Sequence, residues 1–220
     1  MKKIICLILC LCFLVVMGCS DKSDNNTAAT TKNGKLSDKI EFKIYDDQSK
    51  TWLNNSHIKE ITLKNENGEK SLIITTTESG KELLKNATEA SKGKVISVAA
   101  DKHILYSVFV KESIKDGMIL LNEKLTDYTY LYNYLTDAKD KMAGVTPPDT
   151  LVSEEDAKKT AFGHVNATAD TVSDVEIKLE LSEDYFGWKY RIDFSANEQK
   201  YKCEINAHTG GIVRFIFDYT

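Results

Sequence analysis

The chain has 220 residues with 29 basic and 33 acidic side chains, a net charge of −4 and a sequence pI near 5.7. Arg191 and Arg214 are its only arginines and its lysines are interleaved with acids, so it lacks the clustered cationic stripe that phosphate backbones require, and nucleic acid is excluded as the expected partner. A length above 200 residues accommodates two small domains, each burying a core of its own.

The first element is a segment of address. Lys2 and Lys3 precede an apolar run from Ile4 to Met17, which falls short of the ~20 residues needed to span a bilayer as a stable helix. It therefore reads as a secretory signal. Val16-Met17-Gly18-Cys19 at its end resembles the bacterial lipobox. The resemblance implies cleavage after Gly18, a diacylglycerol thioether and acylation on Cys19, and a mature chain held at the extracytoplasmic face of a bacterial cell membrane. Two acyl chains give stable anchoring where one gives only reversible attachment. Cys6, Cys10 and Cys12 lie inside the apolar run and read as small hydrophobes, which leaves Cys203 as the only other thiol and no internal disulfide to form. Cys203 alternates with Tyr201 and Ile205, the spacing of a buried strand position.

Residues 19–36 read as the lipidated cysteine and a disordered tether, because Ser20 to Lys35 carries no large apolar residue. A first α+β domain is expected over 37–146. Ile40, Phe42 and Ile44 alternate with polar residues as in a half-buried strand, and Ile61 to Leu63 and Leu72 to Ile74 flank a hairpin turn at Asn65-Glu66-Asn67-Gly68. A helix opens near Thr77-Glu78-Ser79-Gly80, with Ser79 and Glu82 spaced as a capping box, and stops at Gly93. Strands follow at Val95 to Ala100, Ile104 to Val110 and Ile114 to Leu121. A second helix is expected from about Thr126 to Met142, ended by Gly144, Pro147 and Pro148. Tyr128, Tyr130, Tyr132 and Tyr134 lie in it at alternate positions that cannot share one helix face, so some of these phenols are expected in solvent.

The order of these elements, with Thr77-Glu78-Ser79-Gly80, Gly93-Lys94-Val95-Ile96-Ser97-Val98, Asp101-Lys102, Ile114-Lys115-Asp116-Gly117 and Ala143-Gly144-Val145, resembles the extracytoplasmic head subdomain of SecD-type export subunits. That resemblance implies a fold and, in function, contact with emerging polypeptides. It implies no export motor, because the mature chain carries no membrane-spanning run.

A second domain is expected over 150–220. Ser153-Glu154-Glu155-Asp156 opens a helix with its acids at the favourable end. Three alternating strands follow around Val175 to Leu181, Trp188 to Phe194 and Tyr201 to Ile205. The turn Asn206-Ala207-His208-Thr209-Gly210-Gly211 leads to a last strand, Ile212 to Phe217. This unit resembles a PepSY domain, with Asn206 where the family has aspartate. The resemblance implies a non-catalytic, polypeptide-binding module that inhibits or modulates an extracytoplasmic peptidase. Trp188, Tyr190, Ile212, Arg214 and Phe217 are its candidate partner contacts, with Ile212 to Phe217 the candidate edge strand. An accessory of protein export or envelope assembly, working through the SecD-like domain, is the alternative.

Catalytic constellations are not found. His57, His103, His164 and His208 are scattered and read as surface or turn residues. No paired cysteines complete a metal site, and no nucleophile elbow or phosphate-cradling loop occurs. The expected molecule is thus an α+β protein of two mainly antiparallel domains, without catalytic activity, metal or cofactor.

Overall fold

The computed structural model of the protein describes residues 29–218. The lipobox, Gly18 and Cys19 lie outside the described residues. Twelve strands and three α-helices are present among those residues: β1 Thr30–Gly34, β2 Phe42–Asp46, β3 Thr51–Asn54, β4 Ile58–Glu66, β5 Glu69–Thr76, α1 Glu78–Ala90, β6 Val95–Ala100, β7 His103–Phe109, β8 Met118–Leu121, α2 Tyr128–Leu135, α3 Glu154–His164, β9 Val172–Ser182, β10 Gly187–Ala196, β11 Gln199–Asn206 and β12 Ile212–Asp218. They build three four-stranded antiparallel sheets ordered β1-β4-β5-β8, β3-β2-β6-β7 and β12-β11-β10-β9. The protein is α+β, as its pattern of alternating strands and few helices requires.

The first two sheets enclose a single core. Ile61 faces Ile74 across β4 and β5, Ile74 faces Ile119 on β8, and this apolar face meets Phe42, Ile44, Leu53 and Val98 of the second sheet. The hairpin turn is Asn67-Gly68, both at positive φ, which matches the twist of the strands it joins. Helix α1 is capped by Thr77, whose hydroxyl accepts from the Gly80 amide at 3.1 Å, so the expected Ser79–Glu82 box does not form. Gly80 sits where a Cβ would lie 2.4 Å from the His57 carbonyl, and that close approach sets the start of the helix.

Three sequence expectations need correction here. The tether does not run to residue 36, because Thr30–Gly34 pairs with β4 and Leu36 packs on the core. Composition missed this strand since backbone hydrogen bonds, not side-chain burial, hold it, and its first four residues are exposed. Helix α2 ends at Leu135 instead of Met142. Asp137 takes positive φ, and the buried Asn133 amide donates to the Lys141 and Ala143 carbonyls at 2.9 and 3.0 Å, folding the following segment back on the helix. The last strand of the first unit begins at Met118, four residues later than expected.

The tyrosine row also differs from expectation. Tyr128, Tyr130 and Tyr132 are all buried and Tyr134 is half-buried. Helix α2 packs against β4 and β5, while its Tyr130 and Tyr134 rings meet Phe186, a residue of the C-terminal unit. A helix enclosed on opposite sides has no solvent face to offer.

That contact makes the two units share a core. Phe186, in the turn between β9 and β10, is 1% exposed and belongs to the N-terminal cluster, with His103, Tyr130 and Tyr134 rings 5.0–6.0 Å from its own. His103 is therefore a buried core histidine, not the surface residue its turn position implied. Phe186 holds φ +52, a strained region for a bulky residue that persists only when surroundings over-determine it. The surroundings are Asp127 and Gly187. The Asp127 amide donates to the Phe186 carbonyl at 2.6 Å, and a Cβ on Gly187 would lie 2.4 Å from the Leu125 carbonyl.

Candidate functional site

In the C-terminal sheet, the alternation of β10 and β11 sends Tyr190, Ile192, Phe194, Tyr201, Cys203 and Ile205 to one face, where α3 covers them with Ala157, Ala161 and Phe162. Ser153 caps α3 by accepting from the Asp156 amide at 3.1 Å, and Glu154, Glu155 and Asp156 occupy its first turn. The turn before β12 is built by Asn206, whose Oδ1 accepts from the His208 and Thr209 amides at 2.9 and 3.0 Å, while Gly210 supplies the positive φ. An uncharged amide is sufficient for that geometry.

Cys203 is fully buried, and burial, with a smaller contribution from Glu204, pushes its thiol up to about 12. The thiol is thus held neutral and out of reach. Native protein at pH 8 is expected to leave Cys203 unlabelled by iodoacetamide over hours, and 6 M guanidinium to label it within minutes, as read by mass spectrometry of the Cys203 peptide. Rapid labelling of the native chain would contradict this core position.

Among the described residues, strand β12 pairs with β11 alone and lies at one edge of the sheet, the candidate edge expected from the sequence. Helix α3 packs over β10 and β11, leaving the helix-side face of β12 partly open. There Phe215 and Phe217 pair in register with Cys203 and Tyr201, and Phe217 is 50% exposed. The Phe215 ring lies 4.5 Å from His164 at the end of α3 and 5.6 Å from Tyr201, and Phe217 lies 5.7 Å from Tyr201. The opposite face of the same edge carries Arg214 and Ile216, beside Lys202 of β11. Glu204, in register with Arg214, is held instead by Lys189 at 2.8 Å.

The other edge, β9, is protected. Its exposed face carries Asp174, Glu176, Lys178 and Glu180, Asp174 takes positive φ, and the β9–β10 ladder shifts register at Asp193/Ser195. The β11–β12 ladder shifts register as well, at Glu204/Ile205, so it is the charges along β9 that blunt it against pairing relative to β12. β12 instead presents Ile212, Val213, Phe215, Ile216 and Phe217 around one arginine. Of the two borders of this sheet, β12 is the less charged and the more open to an added strand.

The predicted contacts divide accordingly. Ile212, Arg214 and Phe217 are exposed on β12. Trp188 and Tyr190 are corrected: each is 5% exposed, with the Trp188 indole donating to Asp127 Oδ2 at 3.2 Å and the Tyr190 hydroxyl donating to the Val152 carbonyl at 2.9 Å. Aromatic residues in an alternating strand are as easily core as surface, and the middle position of β10 puts these in the core. His164, Lys202 and Phe215 were missed. The alternation of Arg214 and Ile216 with Phe215 and Phe217 was visible, but it marks a surface only once strand order is known.

Among the described residues, no group of three or more His, Cys, Asp or Glu side chains is placed to hold a metal ion, and no helix is long and apolar enough to cross a membrane. Among solved structures, the Bacillus megaterium YpeB C-terminal domain matches over 89% of this chain and 92% of its own length, at 10% identity and a TM-score of 0.26. No curated protein matches the chain. Residues 151–214 match the family described as "Peptidase propeptide and YPEB domain", and the protein thus carries a C-terminal PepSY domain.

Proposed function

We propose that the protein is a non-catalytic lipoprotein, anchored through Cys19 after cleavage behind Gly18, whose PepSY domain binds polypeptide and thereby inhibits or modulates an extracytoplasmic peptidase. The observation that carries the reading is the open β12 edge within a domain matching the peptidase-propeptide family. An exposed strand recognises extended chain through main-chain hydrogen bonds and selects it through the side chains on either face. Nothing in that mode calls for a catalytic group.

The test is crosslinking of the intact anchored protein in cells with mass spectrometry of what it captures, followed by assay of the captured enzyme with purified full-length chain. Recovery of one secreted or membrane peptidase whose rate falls on addition of the chain is expected. The full chain is needed because Phe186 lies in the N-terminal core. Recovery of a translocon or of many unrelated exported chains would overturn the reading. It would favour the export-accessory alternative, for which the outer face of β6 and β7 offers exposed Val95, Ile104 and Phe109.

A further inference from the structure

Resting on the reading of the β12 edge as a polypeptide site, we infer that its preferred occupant is an extended segment of about six residues in which large apolar side chains alternate with acidic ones. The length follows from β12, a strand of seven residues whose ladder with β11 is regular from Arg214 onward, beyond the register shift at Glu204/Ile205. The alternation follows from the two unlike faces of that edge. Successive residues of an added strand point to opposite sides of the sheet. On one side they lie beside Phe215 and Phe217 and the rim formed by His164 and Tyr201, an aromatic wall that rewards apolar and aromatic groups.

On the other side they lie beside Arg214 and Ile216, with Lys202 one strand further in. Of the acids beside these cations on the neighbouring strands, Glu204 is held by Lys189 at 2.8 Å, and Asp193, in register with Lys202, has Oδ2 3.4 Å from Arg191 and Oδ1 without a hydrogen-bond partner. Arg214 and Lys202 are both exposed and form no ion pair among the described residues. Opposite charges on adjacent strands attract, whereas a lysine at the same position would face a like charge. The chain as a whole is acidic, so this cationic strip is a local departure from its average.

The experiment is fluorescence anisotropy of labelled eight-residue peptides with the full-length chain at 150 mM salt. One peptide alternates phenylalanine and glutamate, a second alternates phenylalanine and lysine, a third has the first one's composition in two blocks, and a fourth is the first with every second amide N-methylated. The alternating acidic peptide is expected to bind at least tenfold more tightly than each of the other three. In the chain carrying Arg214→Glu and Lys202→Glu, both exposed positions, the order of the acidic and basic peptides is expected to reverse. Equal binding of acidic and basic peptides, equal binding of the blocked sequence, indifference to N-methylation, or a preference that survives the double charge reversal would each overturn the inference. So would sedimentation showing that the edge is occupied by a second copy of the chain. The two readings fail separately. Selective peptide binding by a chain that leaves every captured peptidase unaffected removes the peptidase reading alone, while modulation of a peptidase that persists unchanged in the double variant removes the edge chemistry alone.

Discussion

Replacing Phe186 with alanine is expected to destabilise the whole protein by about 3–5 kcal/mol, the usual cost of emptying a buried phenylalanine site. The ring is 1% exposed and lies against His103, Tyr130 and Tyr134, so its removal leaves a cavity in the N-terminal core where the C-terminal unit enters it. The positive φ at this position is unchanged by the substitution, since alanine keeps a Cβ, and the loss therefore measures packing. Urea unfolding followed by amide hydrogen exchange reads the effect. Protection is expected to fall together in β4 and β5 of the first sheet and in β9 and β10 of the last. Loss confined to the C-terminal sheet would show that the units fold independently and that the shared core transmits nothing.

Asp127→Ala is expected to cost about 2–4 kcal/mol, from a lost helix cap of about 1 kcal/mol and an unsatisfied buried indole N–H of about 1–3 kcal/mol. Asp127 performs both tasks with separate oxygens. Its Oδ1 accepts from the Tyr130 amide at 3.0 Å at the start of α2, and its Oδ2 accepts from the Trp188 indole at 3.2 Å. Asp127→Asn separates them, because an amide retains one acceptor for the cap while its NH₂ faces the indole donor. The asparagine variant is expected to lose about half as much stability in urea unfolding, with Trp188 fluorescence changed as in the alanine variant. Equal stability of the two variants would mean that the cap contributes nothing.

Together these residues define how the PepSY unit is carried. Phe186, Asp127 and Trp188 tie the β9–β10 turn to α2, at the side of the sheet occupied by β9 and β10. The β12 edge is the opposite border of that sheet. The N-terminal unit thus holds the sheet at its β9–β10 turn. A rigidly mounted edge loses less conformational entropy on pairing than one on a freely tumbling module.

Much of this was legible in the chain itself. The period-two alternation of Tyr190, Ile192 and Phe194, and of Tyr201, Cys203 and Ile205, specifies which face of the sheet is buried, because the side-chain period of a strand is two whatever its neighbours are. The Ser153 cap, the Asn206–Gly211 turn and the buried state of Cys203 follow from equally local rules. So does the α+β composition.

What the sequence could not determine depends on contacts between residues far apart in the chain. Strand β1 exists because β4 offers it a backbone ladder, and no side chain of its own announces that. Tyr128, Tyr130 and Tyr132 of α2 are withdrawn, and Tyr134 half so, because sheet and turn close on the helix from opposite sides, whereas helical periodicity alone demands a wet face. Trp188 and Tyr190 read equally well as contacts or as core until β10 takes its place inside the sheet. β12 becomes a candidate site because it is last in the order β12-β11-β10-β9, while β9, at the other border, is defended by its charges. Local alternation is written residue by residue and survives in the sequence; adjacency is decided by the competition of all strands for partners, and only the tertiary structure records its outcome.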